Sequence, residues 1–252
     1  MAKAKWEGII RCAACGNGEL TIFGGGANID GVGGILGQAG PTAVYLCGNK
    51  DVIASAGVME FDIPDINDLI DEGSWEDVIV HEMGHVLGIG TLWGPDFLNT
   101  QSGPEELGSC TASSDTPGCE IWDGTDCPNA FYWFQDISGL SEDPALIVEN
   151  NQGGAGTLCG HWDEAEFDNE LMTGFLNSGA VNPLTEMSIG VLEDLGYSVD
   201  YSQADPYVYP ANRLAAVRQG ETKLRKLSND IMKMNITLLD ANGKRIGVKR
   251  VE

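Results

Sequence analysis

The stretch His81-Glu82-Met83-Gly84-His85-Val86-Leu87-Gly88 limits what this chain can fold into more than any other. On an α-helix, residues four apart share a face. The imidazoles of His81 and His85 can then bind one Zn²⁺, and Glu82, one step round, can reach a water on that metal. The local sequence supports a helix there. Ser74 is a candidate N-cap, Glu76 and Asp77 fall in the first turn, and Val78, Ile79, Met83, Val86 and Leu87 recur at helical spacing. Gly88 and Gly90 end it. Two histidines make half a site. The chain contains three in all, and the third is His161.

Composition narrows the function classes. Formal net charge is -24, and no Lys or Arg occurs between Asp51 and Asn212. Nothing in that span can neutralise phosphates, so no nucleic-acid partner is expected. An acidic surface can attract cations, Ca²⁺ among them, although no specific motif supports a calcium site. The plainest reading of the charge is solubility. No run of 18 apolar residues exists, so no transmembrane segment is expected. The pair Ile9-Ile10 after a basic start is too short for a signal-peptide core.

Seven cysteines point to disulfides and an oxidising compartment, secreted or cell-surface. Four of them, Cys110, Cys119, Cys127 and Cys159, crowd one loop-rich segment. Cys12-Ala-Ala-Cys15 lacks the second pair that a zinc knuckle needs, so disulfide pairing is favoured there too.

Along the chain, Ala2 to Cys12 reads as a short amphipathic helix, and Glu19 to Phe23, Thr42 to Cys47 and Val52 to Ile63 as strands. Gly24 to Gly40 is glycine-rich, but no Gly-Lys-Ser/Thr follows, so it reads as turns and bulges rather than a phosphate loop. A short helix fits Ile66 to Ile70. Thr91 to Gly156 reads as a long, irregular, disulfide-pinned insertion. Thr185 to Leu195 is helical and ends at Gly196. Ten of the fourteen basic residues follow Asn212. There, Arg213 to Met234 is expected to be helical, and Ile236 to Leu239 and Ile246 to Val251 to flank a hairpin turn at Asp240 to Gly243. Asn235-Ile-Thr237 is a glycosylation sequon.

The motif helix, Gly156-Thr-Leu-Cys-Gly-His161-Trp162 and Glu170-Leu-Met172-Thr-Gly174 together resemble the leishmanolysin family of metzincin zinc proteases (peptidase family M8). Thr91, where most metzincins place a third His, excludes the close-spaced branch, and the long interval from Gly88 to His161 suits the leishmanolysin branch. Met187 to Tyr197 is similar to that family's following helix, and Trp6 to Ile10, Leu36 to Pro41 and Gly57 to Asp62 are similar to stretches of its bacterial and algal relatives. The resemblance covers roughly residues 5–207.

It implies an α+β, metzincin-like fold: a mixed twisted sheet, an active-site helix, the pinned insertion and a mainly helical C-terminal subdomain. The catalytic domain would span 1–207, with the zinc helix in 1–90, the insertion in 91–155, and the third ligand, Met-turn and last helix in 156–207. Residues 208–252 would form a basic tail, the start of another module. His81, His85 and His161 would hold one Zn²⁺, Glu82 would act as general base and acid, and Met172 would lie under the metal. Substrates would be proteins or peptides, the extended chain pairing with a strand edge for which Thr42 to Cys47 is the candidate. The competing reading is a non-catalytic acidic adhesion or Ca²⁺-binding module on the same fold.

Overall fold

In the computed structural model, residues 1–48, 51–92, 119–122, 128–139, 146–149, 157, 160–210, 223–227 and 229–250 are described. The chain opens with α1 (Ala2–Ile9), which buries Trp6 and Ile9 and gives way at once to β1 (Ile10–Ala13). The expected helix is therefore a turn shorter than its sequence pattern suggests. Cys15, just past β1, is disulfide-bonded to Cys47 at the end of β3 (Gly37–Leu46), while Cys12 is a free, exposed thiol.

A five-stranded mixed sheet carries the N-terminal half. Its order is β11 (Arg245–Lys249), β10 (Ile236–Leu239), β3, β4 (Val52–Asp62) and β2 (Thr21–Ala27). β3 and β4 are antiparallel, whereas β2 runs parallel to β4 and β10 runs parallel to β3. The glycines expected to make turns are partly in strands: Gly24 to Gly26 lie in β2 and Gly37 and Gly40 in β3. Strand pairing over a long register outweighs the weak strand preference of glycine.

One expectation is overturned here. Thr42 to Cys47 is not a free edge, because β10 pairs with Ala43 to Tyr45 on that side. The chain's own C-terminal region has taken the place assigned to substrate.

α2 (Ile63–Glu72) ends at Gly73 in a left-handed conformation, φ 77°. Ser74 then precedes α3 (Trp75–Leu87), whose first turn holds Glu76 and Asp77. Ser74 sits at the N-cap position without a side-chain cap bond, so the acidic first turn is what complements the helix dipole. α3 buries residues on nearly every side, as a helix wedged between a sheet and a second layer must. The Trp6 indole N–H donates to the Val80 carbonyl at 3.1 Å, and the Tyr197 hydroxyl donates to that of Leu87 at 3.1 Å.

The second layer is built from the insertion and the segments C-terminal to it. β5 (Cys119–Trp122) pairs with β6 (Leu146–Val148), and α4 (Pro128–Ser138) lies between them in sequence. The sequence pattern predicts an irregular insertion, so α4 is a correction. Pro128 opens it and Ala130, Phe134 and Ile137 are spaced four and three apart, which is enough for an apolar stripe. α4 packs on α6 (Glu186–Leu195) so closely that a Cβ on Gly190 would come within 2.8 Å of the Ala130 backbone. Between them come α5 (Glu164–Phe167) and β7 (Phe175–Ser178), and after α6 the short β8 (Tyr197–Val199) pairs with β1. Of the seven cysteines, Cys110, Cys127 and Cys159 lie outside the described residues.

The tail corrects another expectation. Residues 211–222 lie outside the described part, but Lys223–Lys226 forms a strand, β9, antiparallel to β7. The helical pattern yields because β7 offers an open edge for pairing. The expected hairpin does form as β10 and β11. There Asp240 Oδ1 accepts from the Asn242 and Lys244 amides, and Gly243 takes φ 82°.

Candidate metal centre

The first half of the site is local. α3 presents His81, Glu82 and His85, all fully buried. The helix ends at Gly88, φ 127°, and this sharp exit turns the Ile89 carbonyl back to accept from His85 Nδ1 at 2.8 Å. A Cβ on Gly84 would come within 2.9 Å of Met172 Sδ, so a glycine inside the motif lets Met172 pack directly against α3. Glu82 projects toward β3, where a Cβ on Gly37 would stand 2.8 Å from Glu82 Oε1.

The second half is assembled from distant segments. His161 lies between the Glu149 amide, which donates to its carbonyl at 2.9 Å, and Trp162, whose amide donates to the Met172 carbonyl at 3.1 Å. The Trp162 indole N–H donates to Ser188 Oγ at 2.8 Å. Buried Glu170 holds these pieces together. Its Oε2 accepts from the Met172 amide at 2.6 Å, and its Oε1 accepts from the Thr185 amide and hydroxyl and from Ser188 Oγ at 2.6 Å. The Leu171 carbonyl, in the same turn, accepts from His81 Nδ1 at 2.7 Å. Residues 170–172 thus orient His81 on α3 and also bond Trp162, beside the third histidine.

The three histidines meet. Nε2 of His85 is 2.9 Å from that of His81 and 3.0 Å from that of His161, and His81 and His161 are 3.3 Å apart. Each Nδ1 faces a backbone carbonyl, of Leu171, Ile89 and Thr157 respectively. With Nδ1 protonated, the neutral imidazoles turn only lone pairs toward one another. Such an arrangement repels itself unless positive charge sits among the nitrogens.

A fourth donor joins them that the sequence pattern does not reveal. Asp230 Oδ2 lies 3.0 Å from His161 Nε2, 3.3 Å from His81 Nε2 and 3.9 Å from His85 Nε2. A tetrahedron with bonds of about 2.0–2.1 Å to a central ion has edges of roughly 3.3 Å. The separations of the four atoms bracket that value, and three imidazoles with one carboxylate are a donor set suited to zinc. The residues therefore fit a divalent metal.

The electrostatics arise from burial and from this crowding. Burial, followed by repulsion from His81 and His161, holds His85 well below the ordinary imidazole range. Burial also disfavours charge on His161, but the Asp230 carboxylate outweighs it and raises that imidazole. Asp230 is in turn held ionised against its burial by the histidines. Glu82 is pushed well above the usual carboxylate range, by burial first and by Asp230 second. Neither Glu82 oxygen finds a hydrogen-bond partner among the described residues. A buried carboxyl without partners is costly in a purely structural role, and is what a proton-transfer group requires.

Asp230 carries no sequence signal. Asp230 falls within Arg213 to Met234, which the sequence pattern reads as helical, and only the return of the tail to the histidines gives it a partner. Glu170 belongs to the Met172 segment, but nothing in the sequence marks it as the residue that ties the segment to its neighbours.

Comparison with known proteins bears on the second half of the site. The leishmanolysin family model (Peptidase M8) matches residues 144–229. No curated protein matches the chain. The matched stretch contains His161, Glu170 and Met172 but stops short of Asp230, and α3 lies outside it. Helices and a mixed sheet give the α+β architecture expected of a metzincin-like peptidase. The chain is similar to the leishmanolysin family over residues 144–229, about a third of its length.

Proposed function

We propose that the protein is a zinc-dependent endopeptidase in which His81, His85 and His161 hold the metal and Glu82 moves the proton. The observation that carries this reading is the meeting of three Nε2 atoms whose Nδ1 partners are already engaged by carbonyls. When bound, zinc would polarise the scissile carbonyl and make a water acidic enough to attack near neutral pH. Glu82 takes the proton of the attacking water and passes it to the leaving amine. Its raised proton affinity suits it to hold that proton between the two steps. Met172 closes the apolar floor against Gly84, and Glu170 keeps the turn at 170–172 in place, so the carbonyl on His81 does not wander.

Substrates are peptides or proteins, as the family match suggests. The disulfide Cys15–Cys47 supports work in an oxidising, extracellular or cell-surface setting. Residues 1–207 act as the catalytic body and 208–252 as an appended tail. The test is twofold. Metal analysis should find about one zinc per chain. Glu82→Gln should retain that metal and lose peptide hydrolysis; equal cleavage by the variant would remove Glu82 from the mechanism.

A further inference from the structure

The space beside the three histidine Nε2 atoms is filled by the protein itself, through Asp230. β9 pairs with β7, and the Leu227 amide donates to the Gly174 carbonyl at 3.1 Å, two residues from Met172. The segment then crosses to β3. There the Ala39 amide donates to the Asp230 carbonyl at 2.7 Å and the Met232 amide donates to the Ala39 carbonyl at 2.8 Å, a parallel bridge between Ala39 and Ile231. β10 continues along β3 in the same direction. Between these two anchorages Asp230 is fully buried, with its carboxylate on the three histidines.

The segment is fastened by charge as well. Arg225, 6% exposed, donates from Nε and Nη2 to both oxygens of Glu72 on α2, at 2.8 and 2.7 Å, and Asp65 Oδ1 lies 3.7 Å away. A body with no basic residue between Asp51 and Asn212 thus receives a tail that carries ten of them. Backbone pairing, a bidentate ion pair and a carboxylate at the metal position act together on one short segment.

We propose that Asp230 is a fourth protein ligand of the metal, carried by a strap (223–239) that lies where an extended substrate would lie and keeps the enzyme latent. This rests on the metal-site reading above. With four protein donors the site is closed, in the manner of structural zinc, and an open position appears only when the strap leaves. An attached competitor acts at an effective concentration of order millimolar or higher, so an external ligand must overcome it.

The test uses the Co²⁺-loaded full chain, with acetohydroxamate as the external ligand and a fluorogenic peptide as substrate. Wild-type protein should give a visible spectrum that acetohydroxamate barely alters. In Asp230→Ala the spectrum should change, and hydroxamate should bind at least about tenfold more tightly, since the open form is no longer a minor state. Peptide cleavage should rise with it. Arg225→Glu leaves Asp230 intact and loosens only the strap, so it should give a smaller gain of the same kind; it and Asp230→Asn carry the test if Asp230→Ala does not fold. Equal hydroxamate affinity in wild type and variants would overturn the proposal while leaving the three-histidine site standing. An opened site that cleaves no peptide would overturn the peptidase reading and leave the strap standing. Failure of the wild type to take up metal would overturn both.

Discussion

The two halves of the metal centre are held in different ways. The spacing of His81 and His85 is fixed by the pitch of one helix, and only the ring of His81 also leans on the Leu171 carbonyl. His161 needs the turn at 170–172, the Thr157 carbonyl, Trp162 and Ser188, drawn from segments on either side of it. The helix half resists local perturbation because its geometry is intrinsic. The assembled half depends on several buried polar contacts, each of which can be lost separately. Damage to α3 should therefore destroy ligands outright, and damage to the second layer should loosen the site by degrees.

The largest effect expected is on metal retention. His85→Ala and His161→Ala each remove a proposed ligand and should weaken metal binding by more than about a hundredfold, beyond the range of roughly 10–100-fold for supporting contacts. Competition with a chelator measures this, and metal retention by either variant would remove that histidine from the metal site. Next comes Glu82→Gln, read in the opened Asp230→Ala background, with peptide turnover down by about 10²–10⁴-fold, as for loss of a general base. Its metal content should be unchanged.

Gly90→Ala probes the seam between the halves. Gly90 has φ 75° and an added Cβ would collide with the Gly160 carbonyl, next to His161. Gly73, φ 77°, has open space in the same position, so Gly73→Ala bears the backbone strain alone. That strain is about 1–2 kcal/mol, and Gly90→Ala should exceed it in chemical denaturation and also weaken metal binding. Similar losses in both variants would show that the seam does not matter.

Glu170→Gln should cost about 1–3 kcal/mol, because an amide cannot accept from the Met172 N–H and all three Oε1 donors at once. A separate effect concerns pH. Burial, with Asp168, Glu149 and Asp163 adding repulsion, raises Glu164 from an ordinary 4.5 to about 9. A raised carboxyl favours the folded state below the unfolded value and loses that contribution as pH rises through the folded one. Melting temperature should then fall between pH 4.5 and about 9, and Glu164→Gln should fall less steeply. Parallel curves would remove Glu164 as the source.

Legibility in the sequence divides along the same line. α3, α6 and the β10–β11 hairpin are legible because caps, helical spacing and turn residues act within a few residues. Counting histidines is enough to recruit His161, although nothing local fixes its position. α4 carries a usable signal, Pro128 and an apolar stripe, hidden by the surrounding Gly, Ser and Asp. The strand β9 and the role of Asp230 are not legible, since both arise from pairing partners about 50 and 150 residues away. The same return of the tail closes the edge expected at Thr42 to Cys47.

The Arg225–Glu72 pair has a further consequence, for ionic strength. Exposed charges are screened within about 8–10 Å at ordinary salt, whereas a partly buried pair is screened less. Arg225 is almost wholly covered, while most other basic side chains described in the tail are exposed or half-buried. Salt should therefore strip the outer charges of the tail from the acidic body without loosening the inner one. The strap should therefore loosen less in concentrated brine than a tail held by its outer charges alone would.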